Sequence, residues 1–308
     1  MMTGAGVLPI VVGTDGSDAA QAAVEYAADL AARRSAPLRV VHAFEPSEYE
    51  MRPPVDWHRD RHGVARNAAQ RMLDDTLEVL TMVYPQMQVR VRLEPGLAVG
   101  VLVEESRNAD TVVLGSRGSG GFVKLLLGST PLAVAAQSHC PVVAVPAPKD
   151  SSPDRHGVVV GVDRTPGSEC ALEYAFRVAA ETGEPLLAVR AWSEPFRVMT
   201  GLRLPLLHDP DVVREQEGHD LRDTVDRWQE KFPGVTVTAE VVVGHAAKVL
   251  LDLSRDARLL VVGCRGQGDI RAALVGSTSH AVLHHTEVPV AVVPFAGGGA
   301  AVAAPSRA

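Results

Sequence analysis

Short apolar runs alternate with longer amphipathic segments along the whole chain. Runs of β-branched and aliphatic residues bounded by glycine, proline or polar turn residues are typical of buried strands, whereas apolar positions three or four residues apart are typical of helices. In the first half this pattern predicts strands at Ile10–Gly13, Leu38–Phe44, Gln88–Leu93, Thr111–Leu114 and Pro141–Val145. It predicts helices at about Asp18–Ser35, Gly63–Tyr84, Val99–Ser106 and Thr130–Gln137. Between them, Glu45–His62 holds three prolines without clear periodicity, which predicts a long loop or a poorly formed helical segment.

The same pattern occurs a second time at a constant spacing of 148 residues, which takes Gly115 to Gly263 and Asp15 to Asp163. A register held across most of a chain indicates two copies of one domain. We predict one domain at 1–146, a Pro/Ser/charge-rich linker at 147–156, a second domain at 157–294 and a disordered Gly/Ala tail at 295–308. The irregular insert of the second copy falls at Ser193–Asp220.

The order of the elements predicts an α/β fold. Strands that alternate with helices form parallel sheets with right-handed crossovers and with helices on both faces, so each copy is predicted to be a doubly wound, five-stranded parallel sheet. Such sheets bind ligands at the carboxyl ends of their strands, beside the point where the strand order reverses. Asp15, Ala43 and the loop after Gly115 all follow predicted strands, and we expect them at this edge.

A loop of small residues follows the fourth strand of each copy. Gly115 and Gly118 are followed, after nine further residues, by Gly128-Ser129-Thr130 and then Pro131, where Ser129 and Thr130 predict an N-cap and a first helical turn. Glycines allow backbone N–H groups to approach an anion closely, and the N-terminus of a helix favours a phosphate. Arginine at 117 and at 265 adds a cation to each loop. The alternative is that the glycines only permit tight turns.

These loops resemble the fingerprint of the universal stress protein family, specifically of its ATP-binding branch, which is Gly-x-x-Gly, nine residues and Gly-Ser/Thr. The resemblance covers about residues 8–146 and 157–294 and includes the aspartate after the first strand. It implies a tandem chain with the adenine nucleotide α-hydrolase-like fold of that family. It also implies that the last strands of the two domains pair edge to edge, here within one chain; the alternative is an interior strand covered by helices.

The resemblance implies a nucleotide site in each copy. It places Asp15 and Asp163 near the ribose and a nucleotide-bound Mg²⁺, and the backbones of Ala43 and Ala191 at the adenine. The residues that the resemblance assigns to the triphosphate cradle are Gly115, Gly118, Gly128, Ser129 and Thr130 in the first copy and Gly263, Gly266, Gly276, Ser277 and Thr278 in the second. The ligand expected from this family is ATP with Mg²⁺, and Arg117 and Arg265 are added to its site on the ground of their charge.

Other interpretations of the same residues stay open. Asp15 is a candidate N-cap of the first helix, and Arg164 is a candidate ion-pair partner that would draw Asp163 away from a ribose. His280 and His284 stand four residues apart on a predicted helix, but surface histidines are commoner than metal ligands. No Gly-Lys-Ser/Thr follows a glycine loop, which excludes a Walker-type NTPase.

The composition of the chain limits the kinds of partner and the location that we expect. The net charge is −7 without a Lys/Arg block, which argues against nucleic acid. No apolar run reaches the roughly 20 residues that span a bilayer, and the start of the chain lacks a basic secretory n-region, so we expect a cytoplasmic protein. Three scattered cysteines, Cys140, Cys170 and Cys264, fit a reducing compartment better than a disulfide framework.

The sequence is compatible with three functions. The first is a non-catalytic, ATP-binding regulator of the stress response, in which bound nucleotide switches assembly or the docking of an unknown protein partner. The second is a slow ATPase on the same fold, although neither loop offers an evident general base. The third is a structural pseudo-dimer with vestigial pockets. A further homodimer of whole chains is compatible with each of them.

Overall fold

A computed structural model describes residues 7–44, 59–117, 128–148, 155–192, 210–264 and 275–295. The first half contains β1 (Ile10–Gly13), α1 (Asp18–Arg34), β2 (Leu38–Phe44), α2 (Arg59–Val83), β3 (Val89–Pro95), α3 (Ala98–Ser106), β4 (Thr111–Gly115), α4 (Ser129–Gln137) and β5 (Val142–Val145). The second half contains β6 (Val158–Gly161), α5 (Pro166–Thr182), β7 (Leu186–Trp192), α6 (Pro210–Gln229), β8 (Val237–Val243), α7 (Ala246–Leu253), β9 (Leu259–Gly263), α8 (Ser277–His285) and β10 (Val290–Val293).

The ten strands form one continuous sheet in the order β3-β2-β1-β4-β5-β10-β9-β6-β7-β8. Within each half all neighbouring strands are parallel, which confirms two doubly wound, five-stranded units. The halves meet where β5 and β10 pair antiparallel, with Val143 opposite Ala291. The predicted edge-to-edge pairing of the last strands is therefore confirmed, and it buries two edges that would otherwise be open to other chains.

Each face of the sheet carries one hydrophobic core that runs through both halves. One core includes Val12 and Val160 with residues of α1, α2, α5 and α6, and the other includes Val11 and Val159 with residues of α3, α4, α7 and α8. Alternate residues of a strand point to opposite faces, so strands that are apolar throughout supply both cores. The valine runs of the sequence thereby specify a sheet covered by helices on both sides.

The first helix of each half begins and ends for identifiable local reasons. Ser17 caps α1 by accepting a hydrogen bond from the N–H of Ala20 at 3.3 Å. Pro166 occupies the first turn of α5, where its missing N–H costs nothing. At the other ends, Ser35 and Gly183 adopt left-handed backbone conformations that terminate the helices.

A buried ion-pair cluster joins the two halves on the α1–α5 face. Arg34 of the first half pairs with Asp110 beside β4 and, at 3.0 Å, with Glu181 of the second half. Arg177 of the second half pairs with Asp110 at 3.1 Å, and both guanidiniums lie over the ring of Tyr174, at 5.6 Å for Arg34 and 5.1 Å for Arg177. Burial disfavours the ionised form of Asp110, but the two guanidiniums outweigh it and hold its pKa below the usual range.

Two predicted loops are shorter than the sequence suggested. Helix α2 begins at Arg59, four residues before the predicted Gly63, so part of Glu45–His62 is helical. Helix α6 begins at Pro210, inside the segment predicted to be irregular up to Asp220. The predicted disordered tail lies outside the described residues from 296 onward.

Candidate functional site

The order of the strands reverses between β1 and β4 in the first half. From β1 the chain proceeds to β2 and β3 on one side, whereas β4 and β5 lie on the other. Parallel strands in this arrangement open a crevice at their carboxyl ends. The residues that follow β1, end β2 and follow β4 therefore meet at one edge, as the sequence predicted. The N–H of Thr14 donates to the carbonyl of Val41 at 2.9 Å, which fixes the first of these turns against β2.

Asp15 lies in a tight turn that is tied to the loop after β4. Its Oδ1 accepts hydrogen bonds from the backbone N–H and the Oγ–H of Ser17, at 3.1 and 2.6 Å. The Oγ of Ser17 also lies 3.4 Å from the carbonyl oxygen of Arg117. The N-cap of α1 is Ser17, so the interpretation of Asp15 as a helix cap is wrong. Asp15 is exposed at the crevice. Sequence reasoning overlooked Ser17, although its position two residues after an aspartate is a known turn signal.

The N-terminus of α4 opens at the same edge. Its N-cap is Gly128, not the predicted Ser129, and no side chain caps it. The N–H of Gly128 donates to the carbonyl of Ser116 at 2.7 Å and so closes the base of the loop. Among the described residues, nothing accepts a hydrogen bond from the N–H groups of Ser129 and Thr130. These groups lie at the positive end of the helix dipole, where an anion is favoured.

Gly115 is required by packing rather than by a turn. A Cβ at this position would stand 2.6 Å from the backbone carbon of Ala19 in α1, closer than real contacts allow. Its counterpart Gly263 approaches the backbone of Gly167 in α5, where a Cβ would meet the carbonyl oxygen at 3.0 Å. By contrast, a Cβ at Gly128 would make only ordinary contacts, the nearest at 3.6 Å. Gly115 and Gly263 thus bring the start of the first helix of each half close to the loop.

Ala43 lies at the carboxyl end of β2, partly exposed and opposite Glu94 of β3. Its neighbour His42 connects this end to the turn after β1, since Nδ1 lies 2.7 Å from the carbonyl oxygen of Thr14. Ala191 occupies the matching place at the end of β7, opposite Val242. Both alanines lie at the carboxyl ends of their strands, and the adenine contact assigned to them stays a prediction.

The second half repeats the turn but changes its surroundings. Asp163 accepts a hydrogen bond from the N–H of Thr165 at 2.9 Å, as Asp15 does from Ser17. The predicted Arg164–Asp163 ion pair is wrong, because Arg164 pairs with Glu217 and Asp220 of α6 at 2.9 and 2.6 Å. Such a contact between the turn and α6 depends on tertiary structure that the local sequence does not reveal.

A second arginine joins this arrangement. Arg190, which replaces His42, is almost fully buried and reaches Glu217 at 3.1 Å. Among the described residues, the carboxyl edge of the second half therefore carries an ion-pair cluster that the first half lacks at the matching positions.

The second loop is closed in the same way as the first. The N–H of Gly276 donates to the carbonyl of Cys264 at 2.7 Å, and Gly276 is the uncapped N-cap of α8 ahead of Ser277 and Thr278. The thiol of Cys264, which replaces Ser116, lies 3.4 Å from the carbonyl oxygen of Ala135 in the first half. The remaining predicted site residues, namely Gly118, Arg265 and Gly266, lie outside the described residues.

Within the described ranges, no group of three or more His, Cys, Asp and Glu side chains is arranged to hold a metal ion. His280 and His284 do lie side by side on α8, with ring centroids 4.5 Å apart. Burial, followed by the neighbouring His280 and His285, lowers the pKa of His284. In the same part of the chain, no helix is long and apolar enough to cross a membrane.

The two candidate sites lie on opposite sides of the sheet along the strand direction, each at the carboxyl ends of the strands of its own half. Because β5 and β10 run antiparallel while all other neighbouring strands are parallel, the carboxyl ends of the two halves point in opposite directions. A single ligand cannot bridge the sites, and any influence of one on the other must pass through the sheet and the helices that cover it.

Comparison with known proteins decides the family. The model of the universal stress protein family matches residues 7–146 and 155–294. The chain belongs to the universal stress protein family. Its relatives include universal stress protein Rv2005c of Mycobacterium tuberculosis, 34% identical over 288 residues, which are 92% of this chain and 96% of the relative. Universal stress protein Rv2623 of the same organism is 35% identical over 305 residues, which are 95% of this chain and 98% of the relative.

A solved structure shows that the tandem arrangement of this universal stress protein has a counterpart. The crystal structure of a universal stress protein from Archaeoglobus fulgidus matches with a TM-score of 0.66 and 22% sequence identity, covering 93% of this chain and 96% of that chain. At this identity the likeness establishes the fold.

Proposed function

We propose that this universal stress protein binds ATP together with Mg²⁺ at the carboxyl edge of each half and acts as a nucleotide-dependent regulator of the stress response. The observation that carries the proposal is the uncapped N-terminus of α4, which opens at the switch point beside Asp15. Backbone N–H groups at such a helix end suit phosphate oxygens. The described residues fit the group in their chemistry, since the segments that meet at this edge supply a carboxylate at Asp15 and the backbone amides and hydroxyl-bearing side chains of Ser129 and Thr130.

The proposed roles follow from this placement. Ser129 and Thr130 bind phosphate oxygens, with Arg117 contributing positive charge, and Asp15 lies where it can bind the metal or the ribose. In the second half, Ser277 and Thr278 take the phosphate and Asp163 takes the place of Asp15. Gly118, Gly266 and Arg265 complete the proposed cradles, although they lie outside the described residues. The domain division at 1–146 and 157–294 remains part of the proposal.

We propose regulation rather than catalysis because the carboxylate of Asp15 is already engaged by two hydrogen bonds, from the backbone N–H and the Oγ–H of Ser17. A general base has to be placed to accept a proton from an attacking water. A ligand shifts a conformational equilibrium only by binding two states with different affinity. The nucleotide would act by favouring one of two states that differ in assembly or in the docking of a partner, and we propose a cytoplasmic location for this switch.

The first experiment is to denature the freshly purified full chain, chromatograph the released small molecules and count the nucleotides per chain. Two ATP molecules per chain would support both sites, and one would support a single functional half. Absence of adenine nucleotide, even after incubation with ATP and magnesium, would overturn the proposal in favour of a structural pseudo-dimer. Steady-state phosphate release that scales with protein concentration would instead favour an ATPase.

A further inference from the structure

Two histidine rings lie side by side on one face of α8. His280 and His284 are four residues apart, and their ring centroids are 4.5 Å apart with the ring planes tilted by 44°. His280 is exposed and His284 is partly buried. Within the described part of the chain, no hydrogen bond or ion pair engages either ring. Each neutral ring therefore keeps a nitrogen lone pair available for a ligand.

The distance between the rings fits chelation of a single metal ion. A Zn²⁺ ion lies about 2.0–2.1 Å from an imidazole nitrogen, and the ring centroid lies roughly 1.1 Å behind that nitrogen. Two rings that bind the same ion at an angle of about 90–110° therefore have centroids about 4.5–5.2 Å apart. The observed distance of 4.5 Å lies at the lower end of this range. The same histidine spacing on a helix binds zinc in metalloproteases.

The fold itself does not require this pair of histidines. The constant spacing of 148 residues matches His280 to Leu132 and His284 to Ala136 of α4. Helix α4 has the same length as α8 and begins in the same way, at an uncapped glycine. A leucine and an alanine therefore suffice for the packing of this helix, and the two histidines add a chemical group that the first half lacks at these positions.

The helix dipole explains only part of the histidine pattern. His284 and His285 lie in the last turn of α8, where protonated rings interact favourably with the negative end of the helix. His280 is the fourth residue of α8, near the positive end, where a protonated ring is disfavoured. The dipole thus accounts for His284 and His285 but not for His280, whereas a shared metal ion accounts for the pair.

We propose that His280 and His284 together bind one divalent transition-metal ion of the kind that imidazole favours, namely Cu²⁺, Ni²⁺ or Zn²⁺, with water at its remaining positions. Imidazole nitrogen suits these ions, whereas Mg²⁺ prefers oxygen ligands. Among the residues that the structure describes, no third His, Cys, Asp or Glu completes the site, so the ion exchanges with solvent. This site needs no nucleotide and is separate from the Mg²⁺ proposed at Asp15 and Asp163.

The test titrates NiCl₂ into the untagged, nucleotide-free full-length chain and measures binding by calorimetry. Ni²⁺ is the probe because thiolates favour zinc and copper, and Cys170 is partly exposed. Nucleotide is removed because its phosphates bind divalent cations themselves. We expect one saturable Ni²⁺ site per chain that an excess of Mg²⁺ does not displace. Absence of saturable binding, or displacement of Ni²⁺ by Mg²⁺, would overturn the proposal.

Single substitutions locate the ion on α8. His280→Ala and His284→Ala should each weaken Ni²⁺ binding about tenfold or more, because loss of one imidazole removes the advantage of two linked ligands. The matched control is His285→Ala, which removes an exposed histidine from the same helix and leaves the pair intact. This control should bind Ni²⁺ like the original chain.

A spectroscopic readout identifies the ligands independently of affinity. Ni²⁺ is paramagnetic, so substoichiometric amounts should broaden the ¹H–¹⁵N signals of the His280 and His284 imidazoles before those of the other histidines. Broadening that begins at other histidines would overturn the proposal. Ni²⁺ affinity that stays unchanged in both His280→Ala and His284→Ala would also overturn it, because the ion would then bind elsewhere on the chain.

Discussion

Arg34 of the first half and Glu181 of the second are joined by a buried ion pair of 3.0 Å between Nε and Oε2. The Arg34 side chain is only 7% exposed and also pairs with Asp110. Two carboxylates from opposite sides of the joint thus share the guanidinium of Arg34, and Asp110 is also paired with Arg177. The halves are held together by this contact as well as by the β5–β10 ladder.

Arg34→Met should destabilise the chain strongly. The substitution leaves Glu181 without its partner, whereas Asp110 keeps Arg177, and both carboxylates are partly exposed, so we expect a loss of about 1–3 kcal/mol. Urea unfolding followed by circular dichroism measures the loss. The control is Arg107→Ala, which breaks an exposed pair with Glu104 and should cost less than about 1 kcal/mol. Equal losses in the two variants would contradict a special role for the cluster.

Asp110 should make stability depend on acid pH. Its folded pKa lies below the unfolded value of about 3.9, so its ionisation stabilises the fold fully above the unfolded pKa. That contribution is lost as the pH falls through the lower folded pKa. The difference in unfolding free energy between the original chain and Asp110→Asn should therefore be constant near neutrality and shrink on acidification. Asp226→Asn, at an exposed position, is the control for the loss of one carboxylate.

Gly115→Ala should destabilise the fold through a steric clash. The new Cβ would stand 2.6 Å from backbone atoms of Ala19, which cannot move without shifting α1, and overpacking of this kind costs about 1–3 kcal/mol. The control Gly128→Ala makes only ordinary contacts at an N-cap with φ −73° and should cost less than about 1 kcal/mol. A thermal midpoint for Gly115→Ala equal to that of Gly128→Ala would refute the packing role.

Gly128→Asp should separate stability from nucleotide binding. An aspartate at this N-cap can accept a hydrogen bond from the N–H of Thr130 and interact favourably with the helix dipole. The carboxylate then occupies the place proposed for phosphate and repels it. We expect unchanged or higher stability together with loss of ATP binding in the first half, measured by calorimetry. Gly128→Ala, which adds a Cβ without charge, should retain binding; retention by Gly128→Asp would exclude this helix end as the phosphate site.

The three cysteines should differ in their reactivity toward a thiol reagent. Burial raises the pKa of Cys140 to about 12, and Cys264 is also buried, whereas Cys170 is partly exposed. Since the thiolate is the reactive form, the native chain should react rapidly at Cys170 alone. In denaturant all three should react. Rapid modification of Cys264 in the native chain, located by peptide mapping, would show that the joint between the halves opens readily, because Cys264 contacts Ala135 across it.

The sequence predicted the sheet well because each strand carries its own signal. Valine runs bounded by glycines and repeated at a fixed spacing fix the strands, and the edge pairing of β5 and β10 was confirmed. The start of α2 was missed because the prolines before Arg59 obscure the helical period. Such errors concern element boundaries, which local propensity defines poorly.

The site was less predictable where it depends on contacts between distant segments. The pairing of Arg164 with Glu217 and Asp220 joins residues more than fifty positions apart, and no local pattern indicates it. Ser17 caps α1 instead of Asp15 because of the backbone geometry of the turn. Both residue types are good N-caps, so the sequence alone does not separate them. The nucleotide contacts themselves stay predictions.

The β5–β10 ladder lies within a single covalent chain, so the pairing of the two halves does not depend on protein concentration. A homodimer built on the same ladder would separate on dilution, whereas tethered halves face each other at a fixed, high effective concentration. The two subunits of a symmetric homodimer have the same sequence, whereas the two halves of one chain can differ. Ala28 and Phe176 show this freedom, since the two matching positions are both fully buried although their side chains differ widely in volume.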